Sequence, residues 1–318
     1  MDYSPLDRVP LLNEGIQDSV ISAWRSQGLP DGSKLSDWFT YDQLNVVDAD
    51  LYPRPELAGP VLTEADRIKR LNRMNSDDPE RIADCPNWAD AARRWRDDGH
   101  IIELPIHDGL FLTMGVEEWS SFEAVLYKIA DEPLRVRAIM EDQAVFAVNL
   151  AERILKEVKV DYASFSEPIA SCHGPLISPK LYRDLALSSY RPILDVLRRH
   201  GVESVVWTTY GNALCLIPDV LDAGFNVLRA HERECPDMDY MLLRKRFGSS
   251  LRLIGGIDTD NLLAGPEAID FELNETVAPL LEKGGYIPLP DGRVRANMPL
   301  AHYIYYRRNL ENLVNSFV

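Results

Sequence analysis

The sequence predicts an α/β chain of the (β/α)₈ TIM-barrel class with an irregular N-terminal extension, and three observations point there. Beyond residue 100, short apolar runs alternate with amphipathic stretches of helical period. Gly201, Gly224, Gly248 and Gly284-Gly285 fall where successive helices must end, the usual place of a left-handed residue just past a helix. A doubly wound open sheet would instead want a G-x-G-x-x-G turn after its first strand, and none occurs.

Residues 1–95 read as an extension of loops, helices and first barrel elements. Pro and Gly cluster at 28–32 and 52–55, which marks loops, while Val9–Leu12 and Leu44–Val47 each offer a short strand. Trp88, Ala91, Ala92 and Trp95, spaced three to four apart in a helical stretch from Ala83, precede the stop Asp97-Asp98-Gly99. Residues 96–318 then form the main body of a single barrel domain. Its strands are expected at Ile101–Ile106, Val160–Phe165, Glu203–Thr208, Asn226–Ala230, Leu251–Ile257 and Tyr286–Leu289. Helices are expected at Val116–Lys128, Glu132–Val158, Pro179–Arg199, Ala213–Ala223, Met238–Phe247, Pro266–Lys283 and Leu300–Val314. In the long second helix, Val136, Ile139, Met140, Ala144, Val148, Ala151 and Leu155 share one face of a 3.6-residue period. With the two N-terminal candidates the strands make eight, the number a closed barrel needs.

Composition narrows the function classes. The chain has 318 residues, 46% hydrophobic and 26% charged, which excludes a disordered or fibrous protein. Its 34 Lys+Arg against 50 Asp+Glu leave a formal charge of −16, which repels phosphate backbones and anionic membranes, so neither nucleic acid nor a membrane is an expected partner. No run approaches the length of a membrane span, and the first eight residues are charged without an apolar signal core, which predicts a cytoplasmic protein. Cys85, Cys172, Cys215 and Cys235 are scattered and form no C-x-x-C pair, so reduced thiols are expected.

In a barrel, chemistry gathers on the loops that follow the strands, and the residues there are polar. Glu167, His231 and Asp291 are the candidate catalytic groups, and His107, Tyr210, Asn212, Asp258 and Arg293 are candidates for binding substrate. Glu167 would be a general acid or clamp, or else a cap for the next helix. His231 and His107 are of the one side-chain type that changes charge near neutrality. Asp258 follows Ile254-Gly255-Gly256-Ile257 and suits either a site role or an N-cap. Asp291 and Arg293 either pair with each other or grip a substrate carboxylate through the guanidinium fork. Tyr210 and Asn212 flank a glycine and either donate to an anion or form a tight turn. No metal ligands are assigned: H-x-C, C-x-x-C and H-E-x-x-H are all missing, so zinc is not expected. A G-x-S-x-G nucleophile elbow is missing as well.

Four stretches in order then show a family likeness. Gly174-Pro175-Leu176-Ile177-Ser178-Pro179-Lys180-Leu181-Tyr182, with the helix ending at Arg199-His200-Gly201-Val202, resembles the uroporphyrinogen decarboxylase superfamily, which includes corrinoid-linked methyltransferases. Tyr210-Gly211-Asn212 with Leu216-Ile217-Pro218, then Leu253 to Asp258, then Gly284 to Pro299 follow in the family order. The resemblance implies a (β/α)₈ barrel with its pocket at the strand C-terminal ends. The chain departs from porphyrinogen decarboxylases at Arg8 to Glu14, which lacks their arginine-rich motif, and from the zinc-dependent thiol methyltransferases at Thr208-Thr209-Tyr210, where those have His-x-Cys.

What the resemblance implies is a methyltransferase that moves a methyl group from a small methylated substrate to a corrinoid carried by a partner protein, with no tightly bound cofactor of its own. Glu167, His231 or Asp291 would protonate the departing heteroatom. The alternative is a metal-free decarboxylase in which Arg293 anchors a carboxylate. A catalytically silent binding protein on the same scaffold is the third. The helix at Glu132–Val158 and the aromatic residues near Tyr303, Tyr305 and Tyr306 are compatible with a homodimer and equally suit packing on the barrel.

Overall fold

The computed structural model describes residues 8–13, 15–48, 50–78, 81, 88–231 and 235–317. In chain order the strands are β1 (Leu44–Val46), β2 (Ile101–His107), β3 (Tyr162–Glu167), β4 (Ala170–Ser171), β5 (Gly174–Pro175), β6 (Ser204–Tyr210), β7 (Val227–His231), β8 (Arg252–Ile257) and β9 (Tyr286–Pro290). The helices are α1 (Asp18–Arg25), α2 (Glu64–Leu71), α3 (Trp88–Asp97), α4 (Gly109–Thr113), α5 (Trp119–Asp131), α6 (Pro133–Glu157), α7 (Pro179–Tyr182), α8 (Ser188–Arg199), α9 (Ile217–Ala223), α10 (Tyr240–Phe247), α11 (Thr259–Ala264), α12 (Pro266–Glu272), α13 (Ala278–Glu282) and α14 (Leu300–Asn315). They belong to two compact units, one of residues 45–226 and one of residues 1–44 with 227–318.

In the 45–226 unit β2 pairs parallel with β3, Glu103 opposite Tyr162, and β3 pairs parallel with β6, Phe165 opposite Trp207 and Glu167 opposite Thr209. The alternation of a strand sends successive side chains to opposite faces. Ile102, Leu104, Ala163, Phe165, Val205 and Trp207 form the fully buried face. The rings of Phe165 meet Tyr190 of α8 and Phe225, which identifies this face as the one that carries the helices. On the other face the Glu103 carboxylate accepts the hydroxyls of Tyr162 (2.8 Å) and Ser164 (2.5 Å). Helix α6 buries Val136, Ile139, Met140, Ala144 and Ala151 as its period predicts, but Ala147, Leu150 and Ile154 replace Val148 and Leu155 on the buried face. A π-turn, Arg183–Leu187, joins α7 to α8, so the helix expected over Pro179–Arg199 is present with one loosened turn.

In the other unit β7, β8 and β9 are parallel neighbours, Leu228 opposite Leu253 and Gly256 opposite Leu289. The buried Arg244 donates to the carbonyls of Gly248, Leu251, Gly284 and Gly285, so one guanidinium closes two helix-to-strand turns. Tyr303 and Tyr306 of α14 are fully buried by their own chain, Tyr303 against Trp24 and Phe39, and Tyr305 donates to Asp270. Of the two expectations for these aromatic residues, packing within the chain is the one that Tyr303 and Tyr306 meet.

Strands alternating with helices through both units, with parallel pairings in each, make an α/β, TIM-barrel-like fold. The count of eight barrel strands is corrected at Val9–Leu12, which forms no strand. The backbone there is taken by other partners: Leu11 N–H donates to Asp42 Oδ2 (2.8 Å) and Leu12 C=O accepts from Arg307 (2.8 Å). The Ala83–Asn87 part of the helix expected before Asp97 lies outside the described residues. No helix among the described residues is long and apolar enough to cross a membrane. Among the described cysteines, Cys172 and Cys215 are exposed free thiols and Cys235 is buried.

Candidate active site

The strands run one or two residues further than the apolar pattern suggests, so four candidate residues close strands rather than open loops. His107 ends β2, Glu167 ends β3, Tyr210 ends β6 and His231 ends β7. Strand parity then dictates the faces of Glu167, Tyr210 and His231, while a register shift between Pro105 and His107 turns His107 to the side of Phe165, its partner across the sheet.

Glu167 stands two residues after Phe165 and therefore joins it on the helix side. Its carboxyl is fully buried. Oε1 accepts the amide of Leu110 at 2.9 Å, and Oε2 accepts the hydroxyls of Tyr190 at 2.5 Å and Tyr182 at 3.3 Å. Tyr182 in turn accepts Trp207 Nε1–H at 3.1 Å. Burial pushes the Glu167 carboxyl up to about 7 against the pull of its three donors. This is an enclosed acid.

His107 lies on the same side, its ring stacked on Phe165 and 4.6 Å from Tyr190. Nδ1 accepts Gly109 N–H at 2.9 Å, which puts the proton of the neutral ring on Nε2. Burial, with the Arg70 guanidinium beside it, pushes His107 down to about 3. It stays neutral at physiological pH, which corrects the expectation that it changes charge there.

Tyr210 takes the opposite face and is part-exposed, next to Gly211 at φ +63°. A Cβ on Gly211 would sit 2.4 Å from the Ser171 backbone, so the turn lies flush on the β4–β5 hairpin. Asn212 donates its amide to Ser171 O at 2.8 Å and accepts Leu214 N–H at 3.3 Å through Oδ1. Both of these contacts belong to the turn. One pair that was not singled out lies just past β2: the Asp108 carboxyl is raised by burial, and the Tyr52 phenol acts against that rise. Burial and Asp108 push the Tyr52 phenol up to about 12. The His107-Asp108 dipeptide at a strand end was its visible signal; Tyr52, some fifty residues earlier in the sequence, gave none.

In the other unit, Arg229 and His231 share the same parity of β7. Burial first, then the positive charges of Arg229 and Arg293, push His231 down to about 4, so it is neutral at pH 7. The buried Nε of Arg229 has no hydrogen-bond partner among the described residues, and no described carboxylate forms an ion pair with Arg229 or Arg293. Asp291 does not pair with Arg293; its amide donates to Ile257 O at 2.7 Å. Asp258 caps α11, its carboxylate accepting Asp260 N–H at 2.8 Å while its own amide donates to the buried Glu272 at 3.2 Å. Two guanidiniums thus act on a neutral imidazole, a local concentration of positive charge in a chain of charge −16. Among the described residues no group of three or more His, Cys, Asp or Glu is placed to hold a metal ion.

Parallel strands alternating with helices, with polar side chains at the strand C-terminal ends, define a TIM-barrel-like protein. A model of the uroporphyrinogen decarboxylase family matches residues 52–304, and the chain belongs to that family. No curated protein matches it. Among solved structures, xylanase B from Clostridium stercorarium F9 superposes with a TM-score of 0.33 at 12% identity, covering 74% of this chain and 72% of that one.

Proposed function

We propose that this member of the uroporphyrinogen decarboxylase family is a cytoplasmic enzyme on a (β/α)₈-type barrel that takes a small carboxylated substrate and removes a carboxyl group from it. The observation that supports this is the arrangement of Arg229 and Arg293 around His231 with no described carboxylate paired to either guanidinium. A guanidinium fork matches a carboxylate in geometry and charge. The neutral imidazole of His231 adds a hydrogen bond without adding charge. In the reaction, the bond to one carboxyl carbon breaks, carbon dioxide leaves, the electron pair passes into the substrate's own electron sink, and a proton replaces the lost group. The guanidiniums hold a retained carboxylate while this happens.

Methyl transfer from a small methylated substrate to a corrinoid on a partner protein is the second reading. Its specific support is Glu167, a carboxyl that burial keeps partly protonated at neutral pH, as a departing heteroatom requires. It ranks second because Leu110, Tyr182 and Tyr190 enclose that carboxyl on the helix side of the sheet, and because His231 is neutral at the pH where an acid is needed.

Carbon dioxide release from a panel of di- and tricarboxylated small molecules tests the first reading, with Arg293→Gln as the control. Release that falls roughly 10- to 100-fold in the variant, the loss of one charge-assisted contact, is expected. Methyl-cobalt absorbance with Co(I) corrinoid and methoxylated substrates, alongside no release from any acid, would overturn it in favour of the second.

A further inference from the structure

Glu167 ties together more of the 45–226 unit than any site role requires. Its carboxyl meets three elements at once: the first turn of α4 through Leu110 N–H, α7 through Tyr182 and α8 through Tyr190. Through Tyr182 it also reaches Trp207 of β6. The turn between β2 and α4 is pressed directly on it. Gly109 has φ +84°, and a Cβ there would stand 2.4 Å from Ser166 O and 2.7 Å from Glu167 Oε1. Only glycine lets the turn come this close. The residue just before that glycine is Asp108, the strand-end carboxylate whose charge acts on the Tyr52 phenol.

We propose that Glu167 is a positioning residue: from the helix side of the sheet its carboxyl clamps the Asp108–Leu110 turn, and this clamp holds Asp108, just past the end of β2, where its charge reaches the Tyr52 phenol. The inference rests on the reading of the strand ends as the site, but not on which reaction occurs there. An alternative acceptor for Leu110 N–H is not at hand, because α4 begins at Gly109 and its first amides have no partner within the helix. The side chains facing the carboxyl are phenols and aromatic rings from α7, α8 and β6, with the neutral His107 across Tyr190; the Asp108 charge acts on Tyr190 and the Arg70 charge on His107.

Two measurements test this on the full-length protein. The first is amide exchange of Gly109 and Leu110, and the second is the high-pH titration of the Tyr52 phenol, isolated as the absorbance that Tyr52→Phe lacks. In Glu167→Ala, exchange at these amides rises roughly tenfold or more while Leu104 and Val205 stay within about twofold, as local rather than global opening demands. The Tyr52 phenol meanwhile returns by about one unit toward the ordinary tyrosine range as Asp108 draws away. Glu167→Gln, which keeps an acceptor for Leu110 N–H, restores both. If Glu167→Ala does not fold, Gly109→Ala is measured in its place and shows the same two local changes. A folded variant in which Tyr52 titrates as in the wild type, or in which exchange rises equally through β2 and β6, overturns the proposal. So does a Glu167→Gln variant that behaves like Glu167→Ala.

Discussion

Tyr190 of α8 donates its hydroxyl to Oε2 of Glu167 at 2.5 Å, and both side chains are fully buried. A carboxyl in that position is costly to ionise, and three donors are spent on easing the cost. The same contact joins the end of a strand to the helix that covers it. The stability of the unit and the protonation of one residue are therefore linked.

The first prediction is a pH dependence. Glu167 is raised from 4.5 to about 7, so the folded chain holds its proton more tightly than the unfolded chain does. The stability it contributes is fully present below its unfolded pKa and is lost as pH rises through about 7. The shift corresponds to about 3 kcal/mol. His107, lowered to about 3, has the opposite slope below its ordinary range, so the two must be separated by a variant. Urea unfolding of wild type and Glu167→Gln between pH 5 and 8 separates them, over a range of about 3 units that spans the shifted value. The wild type loses stability relative to the variant with rising pH; parallel curves would show that Glu167 ionises normally.

The second concerns His231. Removing a neighbouring positive charge favours the imidazolium, so Arg229→Leu raises the His231 pKa from about 4, while burial, the larger cause, keeps it under its ordinary value. The rise is expected to be on the order of one unit and is read from the histidine ring protons by NMR titration. An unmoved His231 would mean that Arg229 does not face it, and the anion site would lose its main support.

The third separates a cap from a ligand at Asp258. Its carboxylate accepts Asp260 N–H at the start of α11. Asp258→Ala therefore lowers unfolding stability by about 1 kcal/mol, the ordinary worth of an N-cap. Carboxylate binding in the same variant is unchanged, as measured by titration calorimetry. A loss of binding without a loss of stability would return Asp258 to the site.

Much of the fold was legible because apolar periodicity and glycine stops are local signals. The expected strands at 101–106, 203–208 and 286–289 match β2, β6 and β9 except at their ends. The ends mattered. Extending β3 from Phe165 to Glu167 converts a presumed loop carboxylate into a residue whose face is dictated by alternation, and that face is the helix side. The same reasoning placed Arg229 beside His231, though Arg229 in mid-strand carried no motif. The α6 face was rotated for a related reason: Gln143, which lies outside the apolar stripe, is buried because it accepts from the Arg70 guanidinium at 2.5 Å.

What the sequence by itself determined is the α/β alternation, the family motifs from Gly174 to Pro299 and the polar character of the strand ends, since each depends only on residues near one another in the chain. Tertiary structure alone decided which of those polar groups are charged and what they touch. Glu167 and His107 owe their states to burial between a sheet and its helices, and His231 owes part of its state to guanidiniums brought to it by the fold. Desolvation and through-space charge depend on three-dimensional neighbours, and those are set only when the chain has packed.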